Sequence, residues 1–290
     1  MARCEVCFRR CEIPEGGRGF CGARTCAQGE IRAENYGKIT GFALDPIEKK
    51  PLQRFYPGSM ILSVSSYGCN LRCPFCQNHE ISWSAEAMAL SERRETVSPE
   101  ELVQAALDTR NRGNIGLAFT YNEPLIGWEY VRDTARLAHA AGLVNVLVTN
   151  GTAELPVLEA ISPYIDAMNI DLKGFTERYY SRVLGGDLET VKTFITRAVQ
   201  TAHVELTTLI VPGENDSEEE MRELAGWVSG LTDAAGKTVG QEIPLHVTRF
   251  FPHFHMKDRP ATDVRKIFRL AEAAREKLNY VYTGNCGFRL

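Results

Sequence analysis

From about residue 60 onward, short apolar runs alternate with segments whose apolar residues recur every three or four positions. That alternation is the pattern of parallel strands joined by amphipathic helices. Residues 60–64, 116–120, 144–149, 165–171, 204–211 and 245–250 read as strands, with a short seventh at 280–282. Ser98-Pro99-Glu100-Glu101 reads as a capping box with proline at the first helical position, followed by Leu102, Val103, Ala106 and Leu107 on one face. Ser217 to Glu220 repeats the device ahead of Met221, Leu224, Ala225 and Val228. A third helical stripe runs through Val264, Ile267, Phe268, Ala271, Ala274 and Leu278.

The first 58 residues differ, being rich in glycine, arginine and cysteine with little periodicity before Ile39. They predict a small Cys-rich module with a connecting segment at 1–58, a boundary near Pro57-Gly58, and one α/β domain over 59–290. Composition is that of an ordinary globular chain, 44% hydrophobic and 24% charged over 290 residues. The net charge of -4 and the absence of a Lys/Arg-rich segment argue against a nucleic-acid partner. No apolar run is long enough to span a bilayer, and the N-terminus lacks the apolar stretch of a secretory signal, so a cytoplasmic protein with no membrane partner is expected. In a reducing compartment the nine cysteines are expected to serve as metal or cluster ligands instead of disulfides.

Three of them, Cys69, Cys73 and Cys76, follow the first strand at C-x-x-x-C-x-x-C spacing. A structural zinc site wants four protein ligands and an electron-transfer cluster four cysteines. Three thiols with no fourth nearby leave one iron of a four-iron cluster open; the bland alternative is half of a zinc site completed by His79 or a remote cysteine. The other polar clusters also fall at strand ends, where a parallel barrel keeps its reactive groups. Asn122-Glu123 follows the second strand, Thr149-Asn150-Gly151 the third, Asp171 and Lys173 the fourth, Pro212-Gly213 the fifth, and Arg249 with His253 the sixth. Six such placements predict a single mouth lined with hydrogen-bonding groups around a cofactor. Singly, each has a bland reading: Glu123 as a helix-start acid, Asn150 as a cap, Asp171 and Lys173 as an ion pair, His246 as a satisfied core residue.

The triad, with the aromatic Phe75 before its last cysteine, resembles that of the radical S-adenosylmethionine superfamily. Most of the chain resembles the radical enzyme of the AmmeMemoRadiSam group, itself similar to pyruvate formate-lyase activating enzymes. The resemblance is carried by residues 45–52 (DPIEKKPL), Cys76-Gln77-Asn78, residues 119–124 (FTYNEP), 169–174 (NIDLKG), 209–216 (LIVPGEND), 249–253 (RFFPH) and 280–285 (YVYTGN). It implies a partial (βα)6 TIM-type radical SAM barrel and an oxidoreductase. It also implies a 4Fe-4S cluster on Cys69, Cys73 and Cys76, and S-adenosyl-L-methionine as second cofactor. Reductive cleavage of that cofactor yields a 5′-deoxyadenosyl radical for hydrogen abstraction. Phe75, Asn122, Glu123, Asn150, Asp171, Lys173 and His253 become cofactor-binding candidates, and flavodoxin or ferredoxin the expected electron donor. Two departures stand out: Tyr121-Asn122 replaces the two glycines of a Gly-Gly-Glu element, and Val148 replaces the aspartate of Asp-Thr-Asn-Gly.

The substrate stays open between a glycyl-radical protein and a small molecule or other macromolecule, with an iron-sulfur carrier or zinc scaffold as the non-enzyme alternative. Residues 45–50 with Arg54, and the arm 250–256, are candidates for covering the mouth. Cys4, Cys7, Cys11 and Cys21 supply four ligands in a module with too little apolar sequence to fold unaided, for zinc or an auxiliary iron-sulfur cluster, with free thiols as the alternative. Cys26 is surplus, and Cys286 has no assigned role.

Overall fold

The computed structural model describes residues 1–92 and 95–287. The N-terminal segment forms two short antiparallel ladders, β1 (Ala2–Arg3) with β2 (Glu12–Ile13) and β3 (Arg24–Ala27) with β4 (Glu30–Ala33). An eight-stranded sheet follows: β5 (Gly41–Pro46), β6 (Met60–Ser65), β7 (Asn114–Phe119), β8 (Val144–Thr149), β9 (Ala167–Asp171), β10 (His203–Ile210), β11 (Leu245–Arg249) and β12 (Val281–Gly284). Strands β6 to β12 are parallel and lie in sequence order, while β5 adds antiparallel to the β6 edge. Two short helices, α1 (His79–Ser82) and α2 (Ala85–Glu92), follow the triad loop, and α3 (Pro99–Asp108), α4 (Trp128–Ala140), α5 (Leu155–Ile161), α6 (Leu188–Ala198), α7 (Glu218–Ser229) and α8 (Val264–Arg275) complete the chain. This is the α/β half-barrel expected, with one edge strand, β5, that the sequence reading left inside its connecting segment.

The capping box at α3 is complete, Ser98 Oγ accepting from Glu101 N and Glu101 Oε2 from Ser98 N. At α7 only half of it forms. Ser217 caps Glu220 N, but the Glu220 carboxylate turns away to accept from Phe175 N at 2.7 Å, tying the helix start to the loop after β9. On α8 Leu270 is buried and Phe268 is 41% exposed, so the stripe is rotated from the one expected. Gly116 is required where β7 meets β8, since a Cβ there would lie 1.8 Å from the Val144 carbonyl. Among the described residues no helix is long and apolar enough to cross a membrane.

Residues 45–55 do not cover the mouth. They join the end of β5 to the start of β6, and so lie at the opposite, N-terminal end of the parallel strands, where they form a floor. Ile47 and Leu52 are fully buried against Ile61, Ala118, Val146 and Ala167. Above this apolar layer Asp45 accepts from Lys50 Nζ (3.0 Å), Tyr121 Oη (2.6 Å) and Ser63 Oγ (2.9 Å), which holds its carboxyl well below the usual range despite burial. Asn169 donates to Pro51 O, and the fully buried Glu205 receives Gln53 N (2.9 Å) and Arg54 N (2.8 Å), together with His203 (3.0 Å) and His246 (2.7 Å). His246 is thus a satisfied core residue. Arg54 lies over the Tyr280 ring, away from the mouth.

Candidate functional site

The chain leaving β6 turns at Gly68, whose positive φ and close packing on Cys21 O exclude a side chain, and delivers Cys69, Cys73 and Cys76 to the C-terminal ends of the strands. The loop is fastened at several points. Arg72 donates to Cys69 O (2.7 Å), Leu71 O (2.8 Å) and Phe20 O (2.6 Å), and its backbone N–H reaches Leu184 O in the π-helical turn Tyr179–Leu184. The Cys69 Sγ faces two N–H donors, Leu71 N at 3.4 Å and Asn150 Nδ2 at 3.8 Å.

Glu123 is buried at the end of β7 and braces two strand ends. Its carboxylate accepts from Leu125 N (3.0 Å), Thr149 Oγ1 (2.7 Å) and Asn150 N (2.8 Å). Burial pushes its pKa up to about 7, opposed by those three hydrogen bonds and reinforced by the charge of Asp171. Asn122 ties the same turn to the preceding loop, accepting from Ser66 N and donating to the Tyr67, Gly68 and Glu123 carbonyls. Tyr121, in place of a glycine, adopts φ +74°. A left-handed tyrosine costs roughly 1 to 2 kcal/mol, and its hydroxyl bond to Asp45 and the Lys50 ammonium 4.4 Å from its ring centre hold it there.

Asn150 joins this brace to the triad, since its amide also donates to Asn70 Oδ1 (2.9 Å) while its oxygen accepts from Thr152. Asp171 and Lys173 form an ion pair at 2.6 Å. Burial lowers the Lys173 pKa, but Asp171 and the neighbouring Cys73 outweigh it and keep the ammonium charged. Phe75 is buried edge-on against Phe250. His253 lies in the arm 250–256, which docks on the loop through His255 N to Pro74 O (2.8 Å) and Phe254 stacked on His79 (4.1 Å). Its Nε2 is buried with no hydrogen-bond partner.

The residues predicted for the mouth thus meet at one end of the sheet, while Cys4, Cys7, Cys11 and Cys21 line a separate pocket. Asn70, Arg72, Thr152 and Tyr180, whose hydroxyl accepts from Lys173 N, complete the site and were not anticipated. Arg72 stood inside the triad motif, but two of the carbonyls it reaches, those of Phe20 and Leu184, are remote in sequence. Cys26 packs in the core with its thiol toward Glu15, and Cys286 toward Gly284 O. Among the described residues no three Cys, His, Asp or Glu side chains are already gathered at the distance of a single bound ion.

A parallel half-barrel with three thiols and a ring of buried polar groups at its strand ends defines a cluster-binding barrel enzyme. The chain belongs to the Radical SAM superfamily, whose pattern it matches over residues 63–225. It is 38% identical to the uncharacterized protein MJ0808 of Methanocaldococcus jannaschii over 98% of this chain and 81% of that one. It is 25% identical to the pyruvate formate-lyase 1-activating enzyme of Escherichia coli over 54% of this chain, spanning 63% of that relative's length. Among solved structures, Streptococcus suis SuiB bound to S-adenosylmethionine superposes with a TM-score of 0.55 at 14% identity, over 75% of this chain and 48% of that one.

The family's cofactors are a 4Fe-4S cluster and S-adenosylmethionine, and the donor set fits them. Burial raises the Cys69 and Cys73 thiols above their ordinary value, Cys73 to about 11, so a cation is needed to hold them as thiolates. The N–H groups of Leu71 and Asn150 are placed as sulfur-directed donors of the kind that tune such clusters.

Proposed function

We propose that the chain cleaves S-adenosylmethionine reductively and uses the resulting radical to abstract hydrogen from a glycine of a partner protein. The observation that carries the radical step is the three-thiol loop, its Cys69 sulfur facing N–H donors, set among the strand-end residues Glu123, Asn150, Asp171 and Lys173. A 4Fe-4S cluster held by Cys69, Cys73 and Cys76 would supply the electron, drawn from a reductant such as flavodoxin or ferredoxin, for reductive cleavage of the cofactor. The chain's own residues hold and exclude. Lys173 keeps a positive charge beside Cys73, suited to a carboxylate, while Asp171 and Glu123, the latter ionising near neutral pH, offer carboxylates suited to an ammonium. Transfer of one hydrogen atom from the glycine Cα would then give 5′-deoxyadenosine and a glycyl radical.

The activase reading rests on similarity to the pyruvate formate-lyase activating enzymes. A small-molecule substrate is the second reading, favoured by the arm 250–256, which packs aromatic and imidazole rings against the triad loop and α1. Incubating the reduced enzyme and cofactor with glycyl-radical proteins from its own cell separates the two. A doublet in the electron paramagnetic resonance spectrum is expected; silence on every such partner removes the activase reading.

Glu123→Gln is expected to weaken S-adenosylmethionine binding by about 1.5 to 3 kcal/mol while iron content is retained, because the amide carries no charge for the cofactor's ammonium. Calorimetric titration under anaerobic conditions reads the difference. Equal affinities would limit Glu123 to its bracing role.

A further inference from the structure

Four thiols outside the triad, Cys4, Cys7, Cys11 and Cys21, line one small pocket between the N-terminal ladders and the back of the triad loop. Cys4, Cys7 and Cys21 are buried, and the four lie near enough to act on one another electrostatically, Cys4 with Cys11 and Cys21, and Cys7 with Cys4 and Cys21. Arg24 lines the same pocket and is 2% exposed. One arm of its guanidinium pairs with Glu129 at 2.7 Å, but Nε and Nη2 are buried with no partner. Leaving two donors of a buried cation unmatched is costly. Arg24 acts electrostatically on both Cys4 and Cys21, so an anion formed at these thiols would meet its unmatched charge.

We infer that Cys4, Cys7, Cys11 and Cys21 bind a closed four-thiolate metal centre, a single zinc ion or an iron-sulfur cluster, whose negative charge is met by the N–H donors of Arg24. Four thiolates around a divalent ion or a cubane leave a net negative charge, and sulfur accepts N–H hydrogen bonds, which is what Arg24 offers. The thiols stand on the pocket wall instead of meeting at one point, so ligation turns them inward about their Cα–Cβ bonds. All four ligands come from the protein, so this centre has no open position for substrate.

The centre also has a mechanical consequence for the triad. Asn70, between Cys69 and the rest of the loop, lines the same pocket as Cys7 and receives Arg9 Nε on its carbonyl at 2.7 Å. On the far side of the loop Arg72 donates to Phe20 O, and the Phe20 ring is stacked between Arg9 (3.4 Å) and Arg72 (4.0 Å). Metal binding by the N-terminal thiols therefore fastens the ladder segment against the loop that presents Cys69 and Cys73.

The full-length chain with Cys69, Cys73 and Cys76 all replaced by alanine, purified anaerobically, isolates this centre for metal analysis. It is expected to keep about one zinc or about four irons per chain; either supports the inference and identifies the metal. Adding Cys7→Ser and Cys21→Ser is expected to remove it. Because that variant can fail to fold for other reasons, Arg24→Gln in the otherwise native chain is the second probe. With all thiols in place, it is expected to release the N-terminal metal to a chelator about tenfold faster, the effect of losing a charge-assisted hydrogen bond. A triad-free chain with neither metal in stoichiometric amount, or metal content indifferent to Cys7→Ser and Cys21→Ser, overturns the centre. Unchanged release from Arg24→Gln overturns the role of the arginine.

Discussion

With Cys69, Cys73 and Cys76 replaced together by alanine, the chain is expected to fold, to lose the four irons of the barrel cluster, and to produce no measurable 5′-deoxyadenosine. Folding is expected to survive because the three thiols sit in a loop held by Arg72, Asn70 and Asn150, none of which the substitution touches. The loss of activity is expected to be total and not graded, since no thiol remains in the mouth to hold a cubane and no other described group there supplies a low-potential electron. Iron analysis and the electron paramagnetic resonance spectrum of the reduced protein check the first part, and product chromatography the second. Iron bound at the parent's level with normal product would refute the assignment.

The second large effect lies at the other end of the barrel. Glu205→Ala is expected to cost about 3 to 5 kcal/mol of stability, because it leaves His246, His203 and two backbone N–H groups of the floor segment without their shared acceptor. The wild-type group has a pH signature with a definite sign. Burial pushes the Glu205 carboxyl up, but its two histidine and two backbone donors outweigh that and bring its pKa down to about 2 from 4.5. A depressed folded value means that the stabilisation is present above about pH 4.5 and is lost as the pH falls toward 2. Urea unfolding of both proteins at neutral pH measures the cost, and repeating it in acid should bring the two curves together. A gap that is small at pH 7, or that does not close in acid, contradicts this account of the floor.

Residues 45–50 show where sequence reasoning stops. Asp45, Lys49 and Lys50 read as part of a fixed charged loop covering the mouth, with solvated surface as the bland alternative. Their placement was decided by groups remote in sequence: Ser63 and Tyr121 meet Asp45, and Asn169 and Glu205 capture the backbone that follows. Lys49 does stay in solvent, but Asp45 and Lys50 are buried. The same long-range dependence hid β5, whose six residues gain strand character only by pairing with β6, and the outward turn of Phe268 on α8.

The parallel strands were legible because each carries its own apolar run, and α3 because its capping box is local. The mouth was legible for a related reason: chain order alone puts a residue just past a strand on the C-terminal face. What those residues bond to was not. Glu123 and Asn122 are braces between strand ends as well as candidate cofactor contacts, a pairing that depends on Thr149 and Asn150 lying alongside. The departure at Tyr121 did carry a signal. A glycine replaced by tyrosine at a left-handed position called for a compensating contact, and Asp45 with Lys50 provides it.

The most direct measurement of the central claim is made on the unmodified full-length chain, reconstituted anaerobically with iron and sulfide, reduced, and supplied with S-adenosylmethionine. The account predicts 5′-deoxyadenosine and methionine appearing in equal amounts, dependent on the reductant and absent without iron. A chain that binds the cluster and the cofactor yet yields neither product on reduction would contradict it.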